Sequence, residues 1–354
     1  MNHAPPSAVR LGTRRSPMAR AQADRVVRLL TRAHPGLRVH VVARSAPGDR
    51  HRGPLGLIGG KQSWVRQLDA ALAAGEADLT VSCAKDLPGA HERPPGTEVG
   101  AVLAREDVRD VLLWPAGRAD ADLDTLPPGA RVGTGAPRRI AQLSAARPDL
   151  EVVPVRGNLG ARLRRHLDGG DGTDEADTAD GAGEADGEGG GEPLDALVVA
   201  RAGLARTGLL GRPHRVLPPE RMTPAAGAGI IVVEHRAGDR ATAELLAPLN
   251  DPVTYAEFTA ERAALSGLRG DCATACSVHA AFAAGAGEPA GGFGEPLAAR
   301  QLTVVGRVFA PYGETTVAEQ VTGPGDRPEA LGGLLAERLL AAGAGALLPG
   351  GADA

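Results

Sequence analysis

Alternating strand and helix patterns predict an α/β protein whose last third changes to α+β. Three observations carry that expectation. Short apolar strands at 9–12, 37–43 and 79–81 are separated by helical periodicities. The same alternation resumes from about residue 105, and from about residue 251 the order becomes helix, strands, helix. Strand–helix alternation builds a largely parallel sheet, and ligands bind at the C-terminal ends of such strands.

Each element has a local reason. After the strand at 9–12, Ser16 is placed to cap a helix that has Pro17 at its first position. Ala19, Ala23, Val26, Leu30 and Ala33 fall on one helical face, and His34-Pro35-Gly36 stops the run. A loop from Pro47-Gly48-Asp49 to Gly59-Gly60 leads into a helix expected to turn Trp64, Leu68 and Leu72 inward. The strand at 79–81 delivers Lys85-Asp86. In the second unit a strand at 131–134 precedes a helix at 138–146, and a strand at 151–155 opens on Arg156-Gly157-Asn158. Order resumes at 194–200, after a Gly/Asp/Glu-rich stretch at 169–193 that lacks apolar periodicity and is expected to be a disordered insertion. The third unit holds a helix, Cys272 in a Gly270-Asp271 turn, strands around 302–308 and a helix at 328–342.

Composition narrows the function classes. A chain of 354 residues has room for two or three domains. No apolar run approaches the length of a membrane span, so no membrane partner is expected. Residues 1–7 lack the basic and apolar stretches of a signal peptide. Three cysteines, Cys83, Cys272 and Cys276, are too few and too uneven for a disulfide framework, so a reduced, cytoplasmic protein is expected. Cys272, Cys276 and His279 lack a fourth ligand, and no metal is expected. The formal net charge of −4 includes nine acids between 171 and 192, where there is no Lys or Arg; setting them aside leaves +5 for the rest. That mildly basic remainder suits a small anion. No aromatic-interleaved basic stripe marks it for nucleic acid.

Candidate site residues follow from chemistry. Arg14, Arg138, Arg139, Arg156, Arg162 and Arg206 fall at or near expected strand ends and are expected to face one cleft. Planar guanidiniums grip carboxylates through paired hydrogen bonds, so such a cleft would hold a polycarboxylate. Arg164 and Arg165 read instead as solvated charges. Lys85-Asp86 after a strand reads on its residues alone as a simple turn pair, although a fixed carboxylate at Asp86 is also able to offset a developing cation. Cys272, presented by a Gly-Asp turn, is a candidate nucleophile for a covalent tether.

Taken in order, a set of short motifs resembles the porphobilinogen deaminase (hydroxymethylbilane synthase) family. It comprises Leu11-Gly12-Thr13-Arg14-Arg15-Ser16-Pro17, Gly48-Asp49, Ile58-Gly59-Gly60-Lys61, Lys85-Asp86-Leu87-Pro88 and Arg105-Glu106-Asp107-Val108-Arg109-Asp110. It continues through Gly133-Thr134 with Arg138-Arg139, Arg156-Gly157-Asn158, Ala202-Gly203-Leu204 with Arg206, Thr259-Ala260-Glu261-Arg262 and Cys272. The resemblance implies two lobes like those of periplasmic binding proteins and a smaller α+β C-terminal domain. Their expected bounds are 8–104 plus 228–248, 105–227, and 249–350. It further implies a polymerisation: four porphobilinogen units joined head to tail, with release of ammonia, on a dipyrromethane cofactor attached to Cys272. Asp86 would be catalytic. Lys85, Thr134, Arg138, Arg139 and Arg162 would bind the cofactor, and Arg14, Ser16, Arg156 and Arg206 the substrate. The expected protein is a monomer.

The chain departs from the family pattern at the cleft. Ser82-Cys83-Ala84 replaces His-Ser and the residue before Lys-Asp, Ala136 stands where serine is common, and Gly227-Ala228-Gly229 replaces Gly-Gln-Gly. Gln67 takes the place of a usual acid. Two rival readings use these changes: a paralogue acting on a related pyrrole, and a two-lobed carboxylate binder without turnover. Retention of both Asp86 and Cys272 favours an enzyme.

Overall fold

The computed structural model describes residues 6–44, 62–88, 96–118, 120–170, 193–269, 274–283 and 295–348, with only the backbone of 62–64. Gly48-Asp49, Ile58 to Lys61, the Trp64 side chain, the acidic insertion from 171 to 192 and Cys272 therefore lie outside the described residues. In chain order the strands are β1 (Ala8–Arg14), β2 (Arg38–Arg44), β3 (Leu79–Cys83), β4 (Thr97–Val102), β5 (Asp110–Leu113), β6 (Arg131–Thr134) and β7 (Glu151–Pro154). They continue with β8 (Ala196–Ala200), β9 (His214–Leu217), β10 (Ile231–Arg236), β11 (Cys276–Phe282), β12 (Gln301–Phe309) and β13 (Thr316–Pro324). The helices are α1 (Pro17–Ala33), α2 (Gln62–Ala73), α3 (Pro137–Ala146), α4 (Leu159–His166), α5 (Arg201–Arg206), α6 (Arg240–Leu246), α7 (Pro252–Gly267) and α8 (Pro328–Ala341).

Three sheets organise these elements, in the orders β2-β1-β3-β10-β4, β7-β6-β8-β5-β9 and β11-β12-β13. The α/β class holds, but the first two sheets are mixed rather than largely parallel. β1 runs parallel to β2 and β3, while β10 is antiparallel to β3 and β4. β6 is parallel to β7 and β8, and β5 is antiparallel to β8 and β9. The reason is the path of the chain. It leaves the first sheet after β4 and returns beside the end of β3, where Ala84 N donates to Ile230 O at 3.0 Å. A strand entering at that edge must run back against β3.

The first helix forms as its sequence dictates. Ser16 Oγ accepts from Ala19 N at 3.4 Å, Pro17 occupies the first turn, and Ala19, Gln22, Ala23, Val26 and Leu30 are buried. Val26 and Leu30 join Val9, Leu11, Leu79, Val81 and Val233 in one core. Ala33, expected on the buried stripe, is exposed because the helix outruns the sheet there. Leu68 and Leu72 of α2 are buried as expected. In the second sheet, alternation along the strands feeds two cores: Leu112 and Val198 on one face, Val111, Leu113, Leu197 and Val199 on the other. In the third unit α7 and α8 lie together against the sheet, where Val304 and Val308 meet Ala260, Ala264, Leu335 and Leu339. Gly332 permits that approach, since a Cβ there would stand 2.2 Å from Ala260 O.

A buried charge knot fixes the crossing between sheets. Leu103 N donates to Ile231 O and Glu106 N to Gly229 O, at 3.0 and 2.9 Å, so the outgoing and returning segments pair. Arg105 then ties them to the third unit. Its Nε donates to Ala228 O at 2.9 Å, Nη1 to Ala280 O at 3.0 Å and Glu257 at 3.2 Å, and Nη2 to Glu261 at 2.8 Å. Glu261 is fully buried and also accepts from Gly227 N at 2.6 Å and Ala280 N at 2.8 Å. Burial opposes its ionisation, but the Arg105 charge and its hydrogen bonds hold its carboxyl below the usual range.

Removing one member of a buried pair strands the other, which costs about 3–5 kcal/mol. Glu261→Gln should therefore lower the urea midpoint by that equivalent, with native secondary structure retained in buffer. A loss below about 1 kcal/mol would show that the knot does not hold the three units together.

Candidate functional site

Parallel pairing of β1 with β3 brings their C-terminal ends to one edge. Arg14 ends β1, Ser16 follows two residues later, and Lys85 and Asp86 sit in a single 3-10 turn directly after β3. Ser16 Oγ is engaged as the α1 cap. Lys85 and Asp86 are half-buried, and neither has an ion pair or hydrogen bond among the described residues. A half-buried carboxylate without a partner at a strand end is placed to meet a cation from outside the chain.

The second lobe builds its edge the same way, from β6, β7 and β8. Arg156 follows β7, and its Nη1 reaches Gly135 O at 3.4 Å. Arg162, on the first turn of α4 beyond the Asn158 cap, donates Nε to Gly157 O at 2.8 Å. Its guanidinium lies over Gly135, where a Cβ would meet Nη1 at 3.3 Å. Beside them α3 begins at Ala136, which offers no side-chain cap. Among the described residues neither Arg156 nor Arg162 has a carboxylate partner. Burial, then the charges of Arg139 and Arg156, lowers the Arg162 pKa to about 10. Cations crowded together without counter-charge fit an anionic ligand.

Arg138 and Arg139 stand differently from the expectation of a cleft-facing set, and Thr134, expected to bind the cofactor, is buried inside the lobe. Arg138 and Arg139 are 7% and 6% exposed, and both bind the buried Asp110. Arg138 Nη2 and Arg139 Nε reach Asp110 Oδ2 at 2.9 and 3.0 Å, and Arg139 Nη2 reaches Oδ1 at 2.8 Å. Arg138 Nη1 also donates to Thr223 O at 3.0 Å, and Arg139 Nη1 to Val198 O at 3.3 Å. Both side chains leave the first turn of α3 and meet Asp110 at the start of β5. Thr134 is fully buried, and its hydroxyl donates to Val198 O at 3.2 Å, inside the lobe. It ends β6, which lies between β7 and β8 in the sheet.

Arg206 is the residue that links the two edges. From α5 in the second lobe, its Nε donates to Glu106 at 2.5 Å and its Nη1 to Cys83 Sγ at 3.1 Å, at the end of β3. Glu106 also pairs with Arg25 of α1. Sequence reasoning assigned no site role to Asp110, Glu106 or Arg25. The first two were visible only as members of the Arg105–Asp110 motif. Arg25 had no signal, because its partner is 81 residues away.

Residues 9–244 match the family model described as porphobilinogen deaminase, dipyromethane cofactor binding domain. The chain is similar to porphobilinogen deaminase 2 of Streptomyces coelicolor, 38% identical over 351 residues, 99% of each chain. It is also similar to the porphobilinogen deaminase of Acidothermus cellulolyticus, 40% identical over 347 residues, 97% of this chain and 91% of that one. Among solved structures, the periplasmic aliphatic sulphonate binding protein SsuA from Escherichia coli aligns at a TM-score of 0.36 and 16% identity, over 75% of this chain and 71% of that one. So weak a likeness carries no argument, and the lobes rest on their own topology.

Asp110 gives the site a pH signature. Burial resists its charge, but Arg138 and Arg139 prevail and lower its pKa to about 2. The unfolded value is about 4, so the stabilisation is complete above that pH and is lost as pH falls toward 2. It amounts to roughly 2–3 kcal/mol. Asp110→Asn should remove this acid limb and lower stability at pH 7. An unchanged stability profile between pH 5 and 2 would contradict the assignment.

Proposed function

The chain belongs to the porphobilinogen deaminase family, and from that premise we propose how its own residues carry the reaction. It is a hydroxymethylbilane synthase, condensing porphobilinogen head to tail on a dipyrromethane cofactor with release of ammonia. The finer reading is a transferase that acts as a reduced, cytoplasmic monomer on a small-molecule pyrrole. Three cysteines in 354 residues, too few for a disulfide framework, support the reduced compartment.

The residues present fit such a cofactor. Every pyrrole unit brings carboxylates, and Arg156 and Arg162 are guanidiniums without a carboxylate among the described residues. Lys85 and the net positive charge left by Arg138 and Arg139 on Asp110 extend the same field. We assign covalent attachment to Cys272, which lies outside the described residues. When bound, the dipyrromethane supplies the terminal ring that porphobilinogen extends.

Arg14, Arg156 and Arg206 orient substrate carboxylates, and the Ser16 hydroxyl, already accepting the α1 cap, retains its proton to donate. Asp86 offsets the positive charge that develops on the pyrrole as ammonia leaves, and it exchanges the ring proton afterwards. Thr134 contributes by tying the end of β6 to β8 through the bond from its hydroxyl to Val198 O. The single observation that carries this reading is that, among the described residues, the Asp86 carboxylate at one strand edge has no partner and Arg156 and Arg162 at the other have no carboxylate.

Asp86→Asn keeps the size of the side chain and removes its charge. Porphobilinogen consumption should fall by about two to three orders of magnitude, with the melting temperature unchanged. Near-normal turnover in a folded Asp86→Asn protein would overturn the assignment.

A further inference from the structure

Cys83 occupies an unusual electrostatic position for a thiol. It is 7% exposed at the last residue of β3, three residues before Asp86. Its sulfur accepts two N–H donors from different lobes: Gln22 Nε2 of α1 at 2.8 Å and Arg206 Nη1 of α5 at 3.1 Å. Glu106 takes the Nε of the same guanidinium and is itself shared with Arg25. The Arg206 side chain is 7% exposed, yet its Nη2 is a buried nitrogen without an acceptor among the described residues. A buried donor left without an acceptor is costly and calls for a reason. Here two neighbours hold Nε and Nη1, so the unmatched Nη2 is the group left for an incoming oxygen.

We infer that Cys83 is a positioning residue: with Glu106 it clamps Arg206 across the lobes so that Nη2 meets a carboxylate of the substrate. The inference rests on the porphobilinogen reading and adds a residue to it. The clamp is local to the sulfur. Losing it leaves Glu106 on Nε as the remaining described hold on Arg206, so the Nη1–Nη2 end is no longer fixed, and it removes an acceptor from Gln22 as well. Because a substrate carboxylate is held equally before and during the reaction, the effect falls on binding rather than on the chemical step.

The test is a set of variants of the full chain assayed with porphobilinogen. Cys83→Ala should raise KM about tenfold while kcat changes by less than about threefold. Cys83→Ser, which restores a hydrogen-bond acceptor, should return KM to within about threefold of the wild type. In an Arg206→Ala background, Cys83→Ala should add no further rise, because the clamp then has nothing to hold. An unchanged KM in Cys83→Ala, or fully multiplicative effects in the double variant, would overturn the inference.

A second readout does not depend on turnover. Alkylation of Cys83 by iodoacetamide, followed by peptide mass, should accelerate severalfold when Arg206→Ala uncovers the sulfur, at an unchanged melting temperature. Labelling that is no faster would equally overturn the clamp. A wild type that consumes no porphobilinogen would instead sink the reading of function, and the labelling result would still decide the contact between Cys83 and Arg206.

Discussion

Asp110 is one buried carboxylate facing two buried guanidiniums, and the architecture of the site follows from that unequal pairing. Arg138 and Arg139 could not be buried at the start of α3 without a counter-charge, because an unpaired charge in the interior costs several kcal/mol. Asp110 supplies it and leaves one positive charge over. Arg156 and Arg162 then stand beside an already cationic centre, with only carbonyls to bind among the described residues. The second lobe is thus folded around a charge surplus, and a ligand with several carboxylates completes it. The lowered Arg162 pKa is the same surplus expressed as proton affinity.

Surplus charge on one lobe acts on substrate only if the other lobe is held opposite it. The paired segments between the first two sheets do this, and Arg105 fastens them to the third unit through Glu257 and Glu261. Gly229 lies at the crossing with φ +75°, and a Cβ there would stand 2.4 Å from Glu106 O. No larger residue fits between the segments. The same short stretch carries Glu106, which reaches Arg25 in one lobe and Arg206 in the other. Segments that connect the lobes therefore also connect their charges.

Local patterns made the early elements legible in the sequence. The Ser16 cap, the α1 stripe through Leu30, the strands at β1, β3 and β6, and the last helix all follow from periodicity and capping over a few residues. β10 and β11 escaped that reading, since Glu234, His235, Ser277 and His279 interrupt their apolar pattern. β10 is paired on both sides in the sheet, and Arg236 and the Asp239 cap sit just beyond its core residues. At the site, Lys85, Asp86 and Arg156 could be placed at strand ends because each follows its strand directly. The burial of Arg138, Arg139 and Thr134 could not be foreseen, because it depends on Asp110 and Val198, in strands brought alongside only by folding. Cys83 stood out as a departure from the family pattern, but its two donors come from helices 61 and 123 residues away.

The central claim is that the guanidinium surplus holds a polycarboxylate cofactor tethered to the chain. Intact mass of the wild type, purified from cells that make porphobilinogen, tests it most directly when measured beside Cys272→Ser. The account predicts a wild type heavier than its sequence by a two-pyrrole adduct, and a Cys272→Ser protein at the mass of its bare chain. A folded wild type at its unmodified mass would contradict it.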